Sequence, residues 1–454
     1  MRTAAATFSY LAILVILVGL SPPRITGDGP EYLLLAQRFA HGESPNIPTA
    51  LAQEKGLYEA RLIDRYSYQQ LWHFWLFPLL VSPLFWVTAE TTRFGPFVLA
   101  NMTLLAVAFA VIFRRLGLAA ATFVGLGPII WWVDKAQTEV FSVAALSLGF
   151  AMLSRPAAAA LAFSVASTQN PPIAVLALIL FGMALLRSVR NMRIDYLLWI
   201  AAAAVMMLHP LFYLWRLGRL TPLVEGQDLR IPALRTMLAV ITDLNIGIAI
   251  NAPISLAILA ATFLVAVPRF RAQRNRLAFV AAAIAVFLVA FAQAPNVNSG
   301  GTPGMSRYAL WLMPGVLAVW PMQGLRTTAE RTRLAVVALG VVWNLCYFRP
   351  SLPEQYLVST ATAVAVWTTH PSWDNPLPEI FAERLRHKDG VNLLAATPNC
   401  AKALLQDGQW PAPCPTVPVA SACRQEGALC YANRRRDGTY DFVRTSRRGG
   451  YRLR

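Results

Sequence analysis

Charge is what this sequence has least of. Only 14% of its residues are charged, while 56% are hydrophobic; a soluble chain sits near half apolar and about a quarter charged. With so few charged groups a chain of 454 residues has little with which to cover a water-facing surface, so composition points to hydrocarbon solvating much of it. On that reading a cytosolic enzyme, a secreted globule, a coiled coil and a disordered chain are all excluded. Lysine is scarcer still: Lys55, Lys135, Lys388 and Lys402 are the only four among 40 basic residues. A P-loop, HExxH, GxSxG or GxGxxG in suitable context is absent, which argues against ATP-driven, zinc-hydrolase and serine-hydrolase chemistry. Internal repeats and inverted pairs of broken helices are absent too, and this lowers the case for a secondary transporter.

What the chain has in quantity is apolar runs. The first, Phe8 to Leu20, ends at Val18-Gly19-Leu20-Ser21-Pro22, a poor cleavage site, so it reads as an uncleaved anchor rather than a signal peptide. Ten further runs fall near 95–113, 118–133, 139–153, 157–169, 172–186, 196–214, 250–267, 277–292, 307–322 and 334–348. Several are shorter than the roughly 20 residues of a straight span. The expectation is an all-α polytopic membrane protein of about eleven spans, with residues 1–348 as the transmembrane domain and 21–94 as its first extracytoplasmic loop.

Arginine placement then sets the topology. An inside N-terminus puts Arg114, Arg115, Arg155, the Arg187/Arg190/Arg193 group, Arg269/Arg271/Arg274/Arg276 and Arg326/Arg331/Arg333 on one side, as short cytoplasmic loops require. The opposite loops carry Asp28, Glu31, Asp134, Glu139, Asp228 and Asp243. The net charge of +17 is thereby read as topology, and without an aromatic-basic platform no nucleic-acid partner is expected. Residues 66–87 are apolar enough to span, but counting them would turn every later loop around; their aromatics and prolines suit an interfacial or re-entrant segment. The predicted location is the plasma (inner) membrane, multi-pass, with the N-terminus cytoplasmic and the C-terminus outside.

After Phe348 the composition turns polar. Residues 349–454 hold Cys400, Cys414, Cys423 and Cys430, four of the five cysteines. An even number in a small polar region fits two disulfides of undetermined pairing in an extracytoplasmic tail. Zinc competes, although spacings of 14, 9 and 7 match no CxxC pattern.

The residues able to do chemistry begin at Thr26-Gly27-Asp28-Gly29-Pro30-Glu31-Tyr32-Leu33. Glycine and proline make a turn that fixes Asp28, and Glu31 to His41 reads as an amphipathic helix. A carboxylate held there can take a proton from an acceptor hydroxyl; the alternative is that Asp28 ends one element and caps the next. His73, among Trp72, Phe74 and Trp75, reads as an aromatic neighbour, and His209 as a hydrogen-bonded core histidine. The charged stretch 43–65 reads as a solvated loop or an acceptor contact.

A first span followed by this turn and an amphipathic helix resembles polytopic glycosyltransferases of the GT-C type, the group of protein O-mannosyltransferases, lipid A aminoarabinose transferases and rhizobial galacturonosyltransferases. Phe77-Pro78-Leu79-Leu80-Val81-Ser82-Pro83, Thr138-Glu139-Val140-Phe141, Leu244-Asn245-Ile246-Gly247 through Asn251-Ala252-Pro253, and Gly300-Gly301 with Gly304-Met305-Ser306-Arg307-Tyr308 resemble further stretches of that group, in order, over residues 8–325. The resemblance implies a GT-C-like fold and an enzyme transferring a sugar from a polyprenyl-phosphate donor to an extracytoplasmic glycan, lipid or protein by an inverting single displacement. It implies Asp28 as catalytic base with Glu31 beside it, and Arg307 and Lys135 on the donor phosphate, where positive charge stabilises the leaving group. Glu139, Tyr32 and Tyr308 would position substrate. Structural readings stand beside these: a snorkelling arginine for Arg307, and a Lys135–Glu139 pair. The group commonly has two adjacent acids in the turn, whereas Gly29 follows Asp28 here. No cofactor and no protein-supplied metal cage are expected, with divalent-metal dependence left open. A flippase of lipid-linked glycans and a non-catalytic scaffold of the same fold are the rival expectations.

Overall fold

The computed structural model describes residues 2–21, 24–25, 27–186, 195–222, 232–266, 270–294, 297, 304–320, 328–347, 357–388 and 393–445. Thr26, the arginines at 187, 190, 193, 269, 326, 447, 448, 452 and 454, Asp228, and Gly300-Gly301 lie outside the described residues. The chain divides into two compact units. The first comprises Met1–Glu225, Ile254–Phe287 and Leu310–Ser351; the second comprises Gly226–Pro253, Leu288–Ala309 and Leu352–Arg454.

Eleven spans are not found among the described residues. Among the described residues four helices are long and apolar enough to cross a membrane: Arg2–Gly19 (α1), Pro96–Leu116, Tyr196–Leu217 and Gln273–Gln293. The expected all-α polytopic architecture of about eleven transmembrane helices is therefore corrected to four candidate spans together with two small antiparallel sheets. The inner-membrane multi-pass topology, with its inside N-terminus and outside C-terminus, rested on the count of eleven and falls with it.

The other runs fail for identifiable reasons. Run 118–133 is cut by Gly125, Gly127 and Pro128 into a helix Leu118–Gly125 and a 3-10 turn Pro128–Trp132. Glu139–Ala151 has 13 residues, about 20 Å at 1.5 Å per residue, against a hydrocarbon core of about 30 Å. Nearly all of its side chains are buried: it is apolar all round because protein surrounds it. Pro156–Gln169 has 14 residues and is followed by a 3-10 turn at Pro171–Ile173. Residues 307–318 form a 3-10 run containing Pro314. Thr328–Tyr347 is long enough but begins with Glu330, Arg331 and Arg333. Residues 66–87 break into a two-residue strand Tyr68–Gln69, a helix Leu76–Val81 and a 3-10 turn Ser82–Trp86.

In the first unit, α1 is followed by the helix Gly29–Ala40 (α2) and by a two-stranded sheet that pairs Ile47–Pro48 (β1) with Tyr68–Gln69 (β2). Tyr32, Phe77, Phe97, Phe141 and Ala136 make one apolar cluster beneath α2. Two features lock the start of the chain to the stretch after Trp132. Backbone bonds join Arg24 N to Asp134 O and Ala136 N to Arg24 O, at 3.0 and 3.4 Å. The buried guanidinium of Arg24 forms a bidentate pair with Asp134, both contacts 2.8 Å, and Ser21 Oγ donates to the same carboxylate.

In the second unit a four-stranded antiparallel sheet runs in the order Ala395–Ala396 (β3), Lys402–Gln406 (β4), Leu429–Arg434 (β5) and Tyr440–Thr445 (β6). Strand alternation sends Leu404 and its cross-strand partner Tyr431 to one face, against Trp367 and Phe381 of the helices Ala361–Thr369 and Pro378–Arg386. Leu405 and Cys430 go to the other, with Val419, Cys423 and Trp410. Disulfides Cys400–Cys414 and Cys423–Cys430 close the loops on that second face. Thr360 caps the first of these helices and ties it to 244–245: its Oγ1 donates to Leu244 O (2.6 Å) and its N to Asn245 Oδ1 (3.1 Å).

Candidate functional site

The first unit brings three predicted residues together with one that was expected only as an aromatic neighbour. Asp28 occupies the N-cap position of α2, with Pro30 in the first turn, yet its side chain makes no capping hydrogen bond. It lies instead beside His73, whose Nε2 is 3.4 Å from Asp28 Oδ2. The other ring nitrogen, Nδ1, is 2.9 Å from Glu31 Oε2. The spacing 28/31 places both carboxylates at the first turn of one helix, and His73 sits between them. Its ring also packs on Tyr32, with centroids 4.9 Å apart. Exposure grades across the three side chains: Glu31 14%, His73 18%, Asp28 31%. Asp28 is the outermost, Glu31 the innermost.

Two glycines make the turn possible. Gly27 has φ +56°, and a Cβ there would stand 3.1 Å from Gln137 Nε2. At Gly29 a Cβ would stand 3.2 Å from Ile25 and 3.7 Å from Ala136. The turn rests on residues 136–137, and it is the left-handed backbone of Gly27 that calls for glycine. The following residue of that stretch joins in, because Tyr32 Oη lies 3.3 Å from Thr138 Oγ1. Asn101 steadies the same stretch by donating to Val133 O and Lys135 O, at 3.1 and 2.9 Å.

The remaining predicted residues are placed as follows. Lys135 and Glu139 are buried in this supporting stretch, and the Lys135 ammonium lies 5.4 Å from the Trp132 ring centre. Arg307 and Tyr308 belong to the second unit, where Arg307 stands over the Tyr308 ring and Tyr308 packs on Phe291. Among the described residues no group of three or more His, Cys, Asp and Glu side chains is disposed to hold a metal ion. His209 is a core histidine: it is buried, with Nδ1 2.8 Å from Thr168 O. A signal for His73 did exist in the sequence. A histidine inside an apolar run needs a polar partner if it is to be buried.

No known protein family, no curated protein and no solved structure matches this chain. The GT-C resemblance is corrected accordingly: no family matches, and the described residues do not form the bundle of spans it requires. The glycosyltransferase assignment, the polyprenyl-phosphate donor, the eleven-span embedding in the bilayer and the extracytoplasmic acceptor go with it. A lipid-borne donor entering sideways needs a site within a bundle of spans, whereas the described chain has four candidate spans and buried ion pairs such as Arg24–Asp134 and Arg216–Asp64.

Proposed function

We propose that this chain is an acid–base enzyme centred on Asp28, His73 and Glu31, which activates a hydroxyl group, of water or of an alcohol, as a nucleophile. The observation that carries this reading is the imidazole held between two carboxylates, one on each ring nitrogen. Glu31, the inner partner, accepts the Nδ1 proton and so fixes the ring's tautomer and orientation. Nε2 then faces Asp28, the member most open to solvent. A hydroxyl brought to this outer side gives its proton to the Asp28–His73 pair. The negative charge of Glu31 stabilises the imidazolium that forms, and the imidazolium returns the proton to the leaving group. Tyr32 packs on the ring, and its hydroxyl, beside Thr138 Oγ1, holds α2 to its support.

The test uses chemistry rather than a presumed substrate. Untargeted mass spectrometry would compare extracts of cells carrying the intact gene, its deletion, Asp28→Asn and His73→Asn at matched protein levels. Removing a general base costs about 10²–10⁴-fold in rate, so both variants should reproduce the metabolite changes of the deletion. Restoration of the wild-type profile by both variants would sink the reading.

A further inference from the structure

His73 sits in a short stretch, residues 71–75, that lies outside helix and strand. Before it, residues 62–70 fold back on themselves, with Ile63 bridged to Gln69, Gln70 N bonded to Leu62 O and Asp64 N to Tyr68 O, at 2.8 and 2.9 Å; after it the helix begins at Leu76. A coil whose backbone groups are not paired in a ladder must be anchored from outside.

The anchor is one face of the helix Asp195–Leu217. His209, Phe212, Tyr213 and Arg216 recur at i, i+3, i+4 and i+7 and so share a side of that helix. Each one meets the coil or its support. Tyr213 Oη donates to Leu71 O at 3.0 Å, two residues before His73. Phe74, the residue after His73, packs on the rings of His209, Phe212 and Tyr213, at 5.2, 5.7 and 6.2 Å. Arg216 forms a buried ion pair with Asp64. Asp64 in turn accepts the backbone N–H of Tyr66 and Tyr68 on one oxygen and the Gln70 amide on the other. His209 fixes the helix itself through Thr168 O. The coil is thus pinned at 64, 71 and 74, and His73 lies with Trp72 between the last two pins.

We infer that this helix face is a positioning platform for His73, and that Tyr213 is its positioning residue. By holding the Leu71 carbonyl, the Tyr213 hydroxyl sets the depth at which the imidazole stands between Glu31 and Asp28. Without that bond the coil relaxes and the Nδ1–Glu31 contact lengthens. The imidazolium then loses part of the carboxylate that stabilises it. This inference rests on the acid–base reading of the Asp28–His73–Glu31 cluster.

The experiment is a pH titration of the histidine ring carbons by NMR in the full-length chain, with His73 assigned through His73→Asn among five histidines. Glu31→Gln removes the inner charge and should lower the His73 midpoint by about one pH unit. Tyr213→Phe removes one hydroxyl and should lower it by about half a unit. Ala204→Gly, which loosens the same helix at an exposed position off this face, should leave it unmoved. A midpoint unmoved by Glu31→Gln overturns the acid–base reading itself. A midpoint moved by Glu31→Gln but not by Tyr213→Phe overturns only the positioning role, as does an equal shift in Ala204→Gly. If Tyr213→Phe does not fold, Phe212→Leu is read in its place, since it loosens the platform through Phe74 and Trp75.

Discussion

In the first unit the buried guanidinium of Arg24 meets a carboxylate, Asp134, and that of Arg216 meets Asp64. In the second unit the buried ammonium of Lys402 meets neutral oxygens: Pro371 O at 2.7 Å, Asn375 Oδ1 at 2.5 Å and Asn433 Oδ1 at 2.5 Å, with the Tyr431 ring 4.5 Å away. Asp243, also buried, is held by the backbone N–H groups of Asn245 and Ile246, at 2.7 and 3.0 Å. An ion matched by an ion is committed to its charge, and each partner depends on the other. An ion matched by dipoles keeps its hydrogen bonds but carries more of its desolvation cost. Burial accordingly pushes Lys402 down to about 7 and Asp243 up to about 6. The first unit is exposed to the loss of a partner, the second to a change of pH.

The largest effect should come from orphaning an ion. Asp134→Ala leaves the Arg24 guanidinium buried without its bidentate partner and should cost about 3–5 kcal/mol. Urea unfolding of the full chain, followed by tryptophan fluorescence, would measure it. Replacing both partners together, Arg24→Met with Asp134→Leu, should recover most of that loss, since the cost lies in the unpaired charge. A loss under about 1 kcal/mol for the single change would mean that the pair is solvated and would remove this half of the contrast.

Lys402→Met should cost about 2–3 kcal/mol, because three buried oxygens lose a donor while no charge is stranded. The pH dependence separates this case from the first. With its folded-state pKa lowered from 10.5 to about 7, Lys402 sheds its proton in the folded protein while the unfolded chain still keeps it. Between pH 7 and 10.5 the unfolded state binds more protons, so stability rises with pH across that window. Melting temperatures taken from pH 6 to 10 should show the rise in the natural chain and a flat line in the variant. A rise that survives in Lys402→Met would assign the slope to another group.

Local signals were legible where the chemistry is local. Gly27, Gly29 and Pro30 announce the turn that presents Asp28, and four cysteines in a polar tail announce two disulfides. The pairing Cys400–Cys414 and Cys423–Cys430 could not be chosen from spacing, because all pairings are open to a chain of unknown fold. The spans were misread for a physical reason. A helix such as Glu139–Ala151 is apolar on every side whether lipid or protein surrounds it, and periodicity alone does not tell these cases apart. The sheet was missed for the same reason: Leu429–Arg434 is covered on both faces, so it lacks the alternation that marks a half-exposed strand. The site was half legible. Both carboxylates stand in one helical turn, but His73 lies 42 residues beyond Glu31, and its approach depends on Tyr213, 142 residues beyond Leu71.

The smallest effect, and the sharpest test of the contrast, belongs to Asp243. Desolvation is the main cause that raises it, with Asp374 adding to the rise; the N–H groups of Asn245 and Ile246 and the charge of Arg384 pull the other way. With a folded-state pKa of about 6 against an ordinary 3.8, the folded protein holds this proton more tightly than the unfolded chain. Its contribution is fully present at acid pH and is lost as pH rises through about 6. Asp243→Asn keeps an oxygen for the two N–H donors and can never ionise. The variant should therefore match the natural chain near pH 4 and exceed it by about 1–2 kcal/mol at pH 8. Urea unfolding at the two pH values is sufficient. A variant weaker than the natural chain at pH 8 would show that the charge of Asp243 is itself stabilising there, through Arg384, whose guanidinium also donates to Gly304 O and Val358 O. In that case the second unit, like the first, would be built on a matched pair of ions at this position, and the contrast would rest on Lys402 alone.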